Sequence, residues 1–183
     1  MSLTLSNMMA LGTKAADFTL LNTVTNKTVS LTDLKSDVAT VIVFICNHCP
    51  FVHHLNSKLV DVANTYQNKG VQFIAISSNN VANYPQDRPE LMQEVAKKEG
   101  YSFPYLYDET QAVAKAYKAE CTPDFFVFDG YLKCAYRGRF DETRPGMGTP
   151  TGKDLTTALD ALISGNTINA DQKPSMGCNI KWK

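Results

Sequence analysis

Ala39 to Ile45, reading Ala-Thr-Val-Ile-Val-Phe-Ile, is a β-branched run too apolar to face water on either side. Such a run marks a central strand covered on both faces. It leads directly into Cys46-Asn47-His48-Cys49-Pro50 and then into a segment where Val52, Leu55, Leu59, Val62 and Tyr66 recur at steps of three and four. That spacing predicts an amphipathic helix ending at Gly70. A buried strand, a two-cysteine turn and a long helix in immediate succession constrain the chain to an α/β fold.

The remaining pattern agrees. Phe18 to Leu21 and Thr28 to Ser30 read as short strands around a polar turn, and Ser30 to Leu34 opens a helical turn. Val71 to Ser77 is a second buried strand, Pro89 to Lys98 a helix with Pro at its start, Tyr105 to Tyr107 a short strand and Glu109 to Lys118 a helix. Asp124 to Asp129 and Leu132 to Tyr136 read as an antiparallel hairpin around Gly130, and Lys153 to Ile163 as a closing helix. Residues 164–183 form a tail with little periodicity. The expected fold is an α/β sandwich over residues 1–183, one domain with a mixed central sheet, helices on both faces and an N-terminal β extension.

The 183 residues are enough to bury roughly 70% of the unfolded chain's surface. The 18 basic and 18 acidic side chains balance, and no clustered excess of Lys and Arg offers a footprint for nucleic acid or an anionic membrane. No apolar run approaches the ~20 residues that span a bilayer. Met1 to Gly12 has neither the basic nor the hydrophobic part of a secretory signal, so the expected location is the cytoplasm. Five cysteines, an odd number, argue there against a structural disulfide framework and for catalysis, metal binding or plain burial.

Cys46-x-x-Cys49 stands where strand gives way to helix, which puts the first thiol at a helix N-terminus, where unpaired N–H groups favour an anion. A dipole contribution of up to ~2 kcal/mol would take a thiol from about 8.5 to roughly 7.5. A protonated His48 would stabilise the Cys46 thiolate further. A lone pair of this kind is also half of a zinc site, but Cys121, Cys134 and Cys178 supply no second pair at ligand spacing, which favours redox chemistry over structural zinc. His53 and His54 are expected on the helix surface, and Cys134, among apolar and aromatic neighbours, in the core.

Strand, C-x-x-C, long helix and a Thr-Pro before a late strand resemble the thioredoxin fold over nearly the whole chain. Gly12 to Leu20, G-T-K-A-A-D-F-T-L, is similar to the G-x-x-A-P-D-F-x-L opening of the redoxin branch that includes alkyl hydroperoxide reductase and thiol-specific antioxidant proteins, with Ala16 in place of Pro. C-N-H-C-P-F-V from Cys46, C-T-P-D-F-F from Cys121, R-P-G-M-G from Arg144 and P-S-M-G-C-N-I-K-W-K from Pro174 resemble an uncharacterised thioredoxin-like group within it. The resemblance implies an exposed nucleophile at Cys46, a buried resolving thiol at Cys49 and a cis bond before Pro123. Thr122 would pair its backbone with a client, with Asn47 and Pro50 completing the client contact, and Cys121 would lie near enough to be a third redox thiol. It implies no cofactor and no resident metal, and as partners a disulfide-bearing client and a separate reductant.

Departures from that pattern shape the alternatives. Ile45 replaces thioredoxin's aromatic residue, Thr40 replaces its buried carboxylate, and a His directly before the second cysteine looks like the oxidase and isomerase relatives. The leading expectation is a thiol–disulfide oxidoreductase. A peroxiredoxin-type peroxidase would want Thr or Ser at Val43 and Pro at Ala39, with Arg137 or Arg139 as its cation. A Cu(I)- or zinc-binding protein of this fold would use the Cys pair with imidazole.

Overall fold

The computed structural model describes residues 3–183; Met1 and Ser2, where the leader reading begins, lie outside the described residues. Its larger sheet has seven strands in the order β3-β2-β6-β5-β4-β8-β9. These are β2 (Thr19–Asn22), β3 (Lys27–Ser30), β4 (Ala39–Phe44), β5 (Val71–Ser77), β6 (Tyr105–Tyr107), β8 (Asp124–Asp129) and β9 (Cys134–Gly138). β4 pairs in parallel with β5 and antiparallel with β8, so it is central, as its composition predicts.

Alternation along β4 builds the two halves of the core. Val41, Val43 and Ile45 face helices α2 (Pro50–Gln67), α3 (Pro89–Glu99) and α5 (Lys153–Ile163), meeting Leu55, Leu59, Met92 and Leu159. Ile42 and Phe44 point the other way, towards α1 (Leu31–Leu34), α4 (Ala112–Tyr117) and the N-terminal segment. Ser30 caps α1 through a reciprocal capping box with Asp33. Gly100 ends α3 in the left-handed conformation that a side chain resists. Truncating Leu59, fully buried on α2, would cost on the order of 2–5 kcal/mol.

Three elements depart from the sequence reading. The helix expected over 109–118 shortens to α4 because Gln111 adopts φ 64° and Asp108 accepts a hydrogen bond from the Ala114 N–H, which fixes a later start. The second hairpin strand begins at Cys134, since Asp129 accepts the N–H groups of Tyr131 and Lys133 and holds both in the turn. The aperiodic tail contains a strand, β10 (Met176–Asn179). It lies between β1 (Leu3–Leu5) and the two-residue β7 (Cys121–Thr122) in a separate three-stranded sheet. Among the described residues no helix is long and apolar enough to cross a membrane.

Candidate active site

β4 delivers Cys46 just beyond its C-terminal end, and α2 begins at Pro50, where a missing N–H costs nothing. Cys49 is therefore the helix N-cap, while Cys46 lies in the turn before it. The expectation that the first thiol sits on the helix terminus is corrected by one element boundary. It is Cys49 that stands at the helix N-terminus, with the Val52 N–H as its backbone donor.

Charge follows that placement. Cys49 is pulled down to about 5 because the Cys46 thiol donates to it, with further donors in the side chains of Thr122 and Cys178 and the Val52 N–H, all against the opposing effect of burial. Cys46 is pushed well above the ordinary thiol range by that same S–H···S bond, by burial and by the Asp87 carboxylate. The pair shares one proton, and the anion rests on the inner sulfur. When protonated, Cys49 donates instead to the Thr122 carbonyl oxygen, 3.1 Å away.

Neither sulfur is open to solvent. Cys46 is 2% exposed and Cys49 fully buried, so the expected exposed nucleophile is covered. Its sulfur lies 3.6 Å from the Thr122 hydroxyl and 3.8 Å from His48 Nδ1. The Thr122–Pro123 bond is cis, in the loop that faces the pair. The backbone edge of Thr122, expected to await a client, is filled by β10, whose Cys178 stands opposite Thr122 in antiparallel register.

Asp87 is the member of the site that local sequence patterns do not reveal. It ends a short 3₁₀ turn, Pro85–Asp87, and its fully buried carboxylate accepts from the Asn47 N–H, from Asn79 Nδ2 (both 2.8 Å) and from His48 Nδ1 at 2.7 Å. Its one available signal is an acidic residue held between Pro85 and Pro89 in a segment between a strand and a helix. The His48 ring stacks on Tyr84, centroids 5.4 Å apart. Thr40, which replaces thioredoxin's carboxylate, accepts from the Ser36 N–H at the far end of β4 and takes no part.

Other expected contacts are redistributed. Asn47 is committed on both sides of its amide, donating to the Gln86 carbonyl and accepting from Tyr105 OH, so it braces the turn rather than reaching for a client. Exposed His53 bonds the Asn47 carbonyl through Nε2, and half-buried His54 bonds the Thr143 hydroxyl, so neither is an idle surface residue. Cys121 is buried, hydrogen-bonded to the Pro123 carbonyl, and pushed far up by desolvation and by Asp124. Cys134 is in the core, as expected. Arg137 is fully buried against Asp124 and over the Phe126 ring, on the sheet face away from Cys46, while Arg139 pairs with Asp154. Burial raises Asp124 to about 7 even beside that arginine. Neither cation reaches a sulfur in the way a peroxidase would use it.

Cys46, His48 and Asp87 have the composition of a metal centre, with ligand atoms within 4.8 Å of one another. Both Asp87 oxygens are already committed to hydrogen bonds, and the imidazole nitrogen facing the cluster is the one bound to Asp87. A metal ion would have to strip that carboxylate, so the donor set fits charge anchoring better than ligation. Beside Pro123 a cavity of about 130 Å³ opens between Phe51, His54, Phe140, Arg144 and Met176; its lining includes neither Cys46 nor Cys49.

The model of the AhpC/TSA family matches residues 11–137. Over its full length the chain is similar to an uncharacterised conserved protein from Geobacillus kaustophilus, 56% identical with a TM-score of 0.98, the match covering 100% of this chain and 97% of that one. A hypothetical protein from Sinorhizobium meliloti is 43% identical with a TM-score of 0.95, covering 98% of each chain. The thioredoxin domain of a thiol-disulfide oxidoreductase from Bacteroides vulgatus shares the fold at 18% identity, with a TM-score of 0.66 over 85% of this chain and 99% of that one. The chain matches none of the curated proteins.

Proposed function

Since the chain belongs to the AhpC/TSA family of thioredoxin-like redoxins, we propose that it is a thiol–disulfide oxidoreductase working through Cys46 and Cys49. One observation carries the reading: two sulfurs lie together at the start of a helix, both against Thr122 of a cis-proline loop. Cys46 is the outer sulfur and attacks a client disulfide as its proton passes along the S–H···S bond to Cys49. The departing client thiolate recovers that proton from Cys49. Cys49, again a thiolate, then displaces the client from Cys46. The Cys46–Cys49 disulfide is left behind and the client leaves as one thiol and one thiolate, which takes its proton from water, a two-electron exchange that needs no cofactor. The cavity beside Pro123 gives a client side chain a place against the cis-proline loop that faces the pair.

His48 and Asp87 act on this step without touching the client. The carboxylate opposes a negative charge on Cys46, and the imidazole lying between them offsets that field. The decisive experiment incubates Cys49→Ser with glutathione disulfide. A stable mixed disulfide on Cys46 is expected, with none in Cys46→Ser. No adduct from any disulfide, in a protein whose wild type consumes peroxide, would move the assignment to a thiol peroxidase.

A further inference from the structure

β10 brings a third sulfur to the pair. Its Cys178 stands opposite Thr122 in the β7–β10 ladder, next to the carbonyl that Cys49 contacts, and the Cys178 and Cys49 side chains hydrogen-bond directly. The approach depends on Gly177, where an added Cβ would fall 2.0 Å from the Thr122 carbonyl oxygen. Only glycine lets the two backbones meet so closely.

The strand is anchored on both flanks. Ser175 exchanges hydrogen bonds with Ser6, and its hydroxyl donates to the Gly138 carbonyl. Beyond β10, the Lys181 N–H donates to Asn79 Oδ1, and Asn79 in turn donates to Asp87. The tail is thus tied to the carboxylate network on one side of the pair and to the cis-proline loop on the other. It lies beyond residues 11–137, which the family model matches, so membership of the family does not account for it.

We infer that Cys178 is a third redox thiol of the site, taking over the disulfide by exchange at Cys49. The inference rests on the Cys46–Cys49 disulfide proposed above. The Cys178 sulfur attacks Cys49, the Cys46–Cys49 bond breaks, a Cys49–Cys178 bond forms, and the proton of Cys178 ends on Cys46. Two thiols and one disulfide exchange places, so no external oxidant or reductant enters. Cys46 is released as a thiol while the oxidising equivalents move to a pair walled in by β7 and β10. Burial holds the Cys178 thiol up at about 12, so it surrenders its proton only to a departing thiolate such as that of Cys46.

The test oxidises the full chain with one equivalent of diamide, quenches in acid, alkylates the remaining thiols and maps disulfides by mass spectrometry. Wild type is expected to yield a Cys49–Cys178 cross-linked peptide from molecules whose Cys46 is alkylated. Cys46→Ala should give Cys49–Cys178 as its intramolecular disulfide. In Cys178→Ser the alkylatable Cys46 of the oxidised form should fall to background as Cys46–Cys49 becomes the sole product. Wild type carrying Cys46–Cys49 with no Cys49–Cys178 peptide would overturn this inference and leave the proposed function standing. Failure of Cys178→Ser to form Cys46–Cys49, in protein whose circular dichroism matches wild type, would bring down the proposed function and this inference with it.

Discussion

The turn from Cys46 to Pro50 and the strand from Met176 to Asn179 close on the same sulfurs from opposite sides, and they are held there by different physics. The turn is largely local: a buried strand ends, a helix begins at proline, and the Cys46 thiol three residues before Cys49 is the main donor that favours a negative charge there. The strand is held by partners far along the chain, pairing with Leu3–Leu5 on one edge and Cys121–Thr122 on the other. The local segment supplies the reactive groups, and the distant one decides how they are reached. Chemistry and access can therefore be altered separately.

The largest effect should come from Gly177→Val, which forces β10 off β7. Overpacking of this kind costs about 1–3 kcal/mol. Alkylation of Cys49, Cys121 and Cys178 in the reduced protein should accelerate together while far-ultraviolet circular dichroism stays native. Unchanged labelling would show that β10 does not guard the pair.

Asp87→Asn tests where the two segments meet, since Asp87 holds the turn directly and the tail through Asn79. The amide offers one acceptor oxygen where the carboxylate has two, so at least one of its three donors is stranded. The expected loss is about 1–3 kcal/mol in urea unfolding. Cys46 should ionise more readily once the carboxylate's field is gone.

Thiolate absorbance tests the charge on the local side. The anion should appear with a midpoint near 5, vanish in Cys49→Ser and move upward in Cys46→Ser, which replaces the principal donor. Because the folded value lies below that of an unfolded thiol, this ionisation stabilises the reduced protein fully above the ordinary thiol range. The gain is lost as pH falls through about 5. A midpoint that follows Cys46 would reverse the roles of the two sulfurs.

The smallest effect should be that of His48→Ala. Removing the ring leaves Asp87 facing Cys46 without its offset, destabilising the thiolate that develops on that sulfur as it attacks and slowing mixed-disulfide formation. A single contact of about 1.4 kcal/mol corresponds to roughly tenfold in rate. An unchanged rate with glutathione disulfide would show that the ring only packs against Tyr84.

How much of this could be read in advance divides along the same line. The course of β4, the start of α2 and the Cys46–Cys49 pair are written within a few residues of one another, where periodicity and proline carry the signal. Asp87 could not be read this way, because a carboxylate in a loop looks alike whether it faces water or takes up three donors from elsewhere. β10 was hidden for a related reason. Met-Gly-Cys-Asn has no alternation and no β-branched residue, and its extended form comes from pairing with β1 and β7. Even the charge on Cys49 lay beyond local pattern: its principal donor is the Cys46 thiol, and the Val52 N–H of the helix is the least of its donors.

The occupied edge of β7 also bears on recognition. A client that would add a strand beside Cys121 and Thr122 finds the seat taken by a competitor on the same chain, and tethered ligands act at effective concentrations on the order of millimolar. Each 1.4 kcal/mol by which β10 prefers its own place weakens such a client about tenfold, since only the fraction of molecules with the edge vacant can bind it. For the proposed reaction, selectivity among clients would then be set by the few residues from Met176 to Asn179. A substrate small enough to enter beside Pro123 avoids that competition, and one that needs the strand edge must win it.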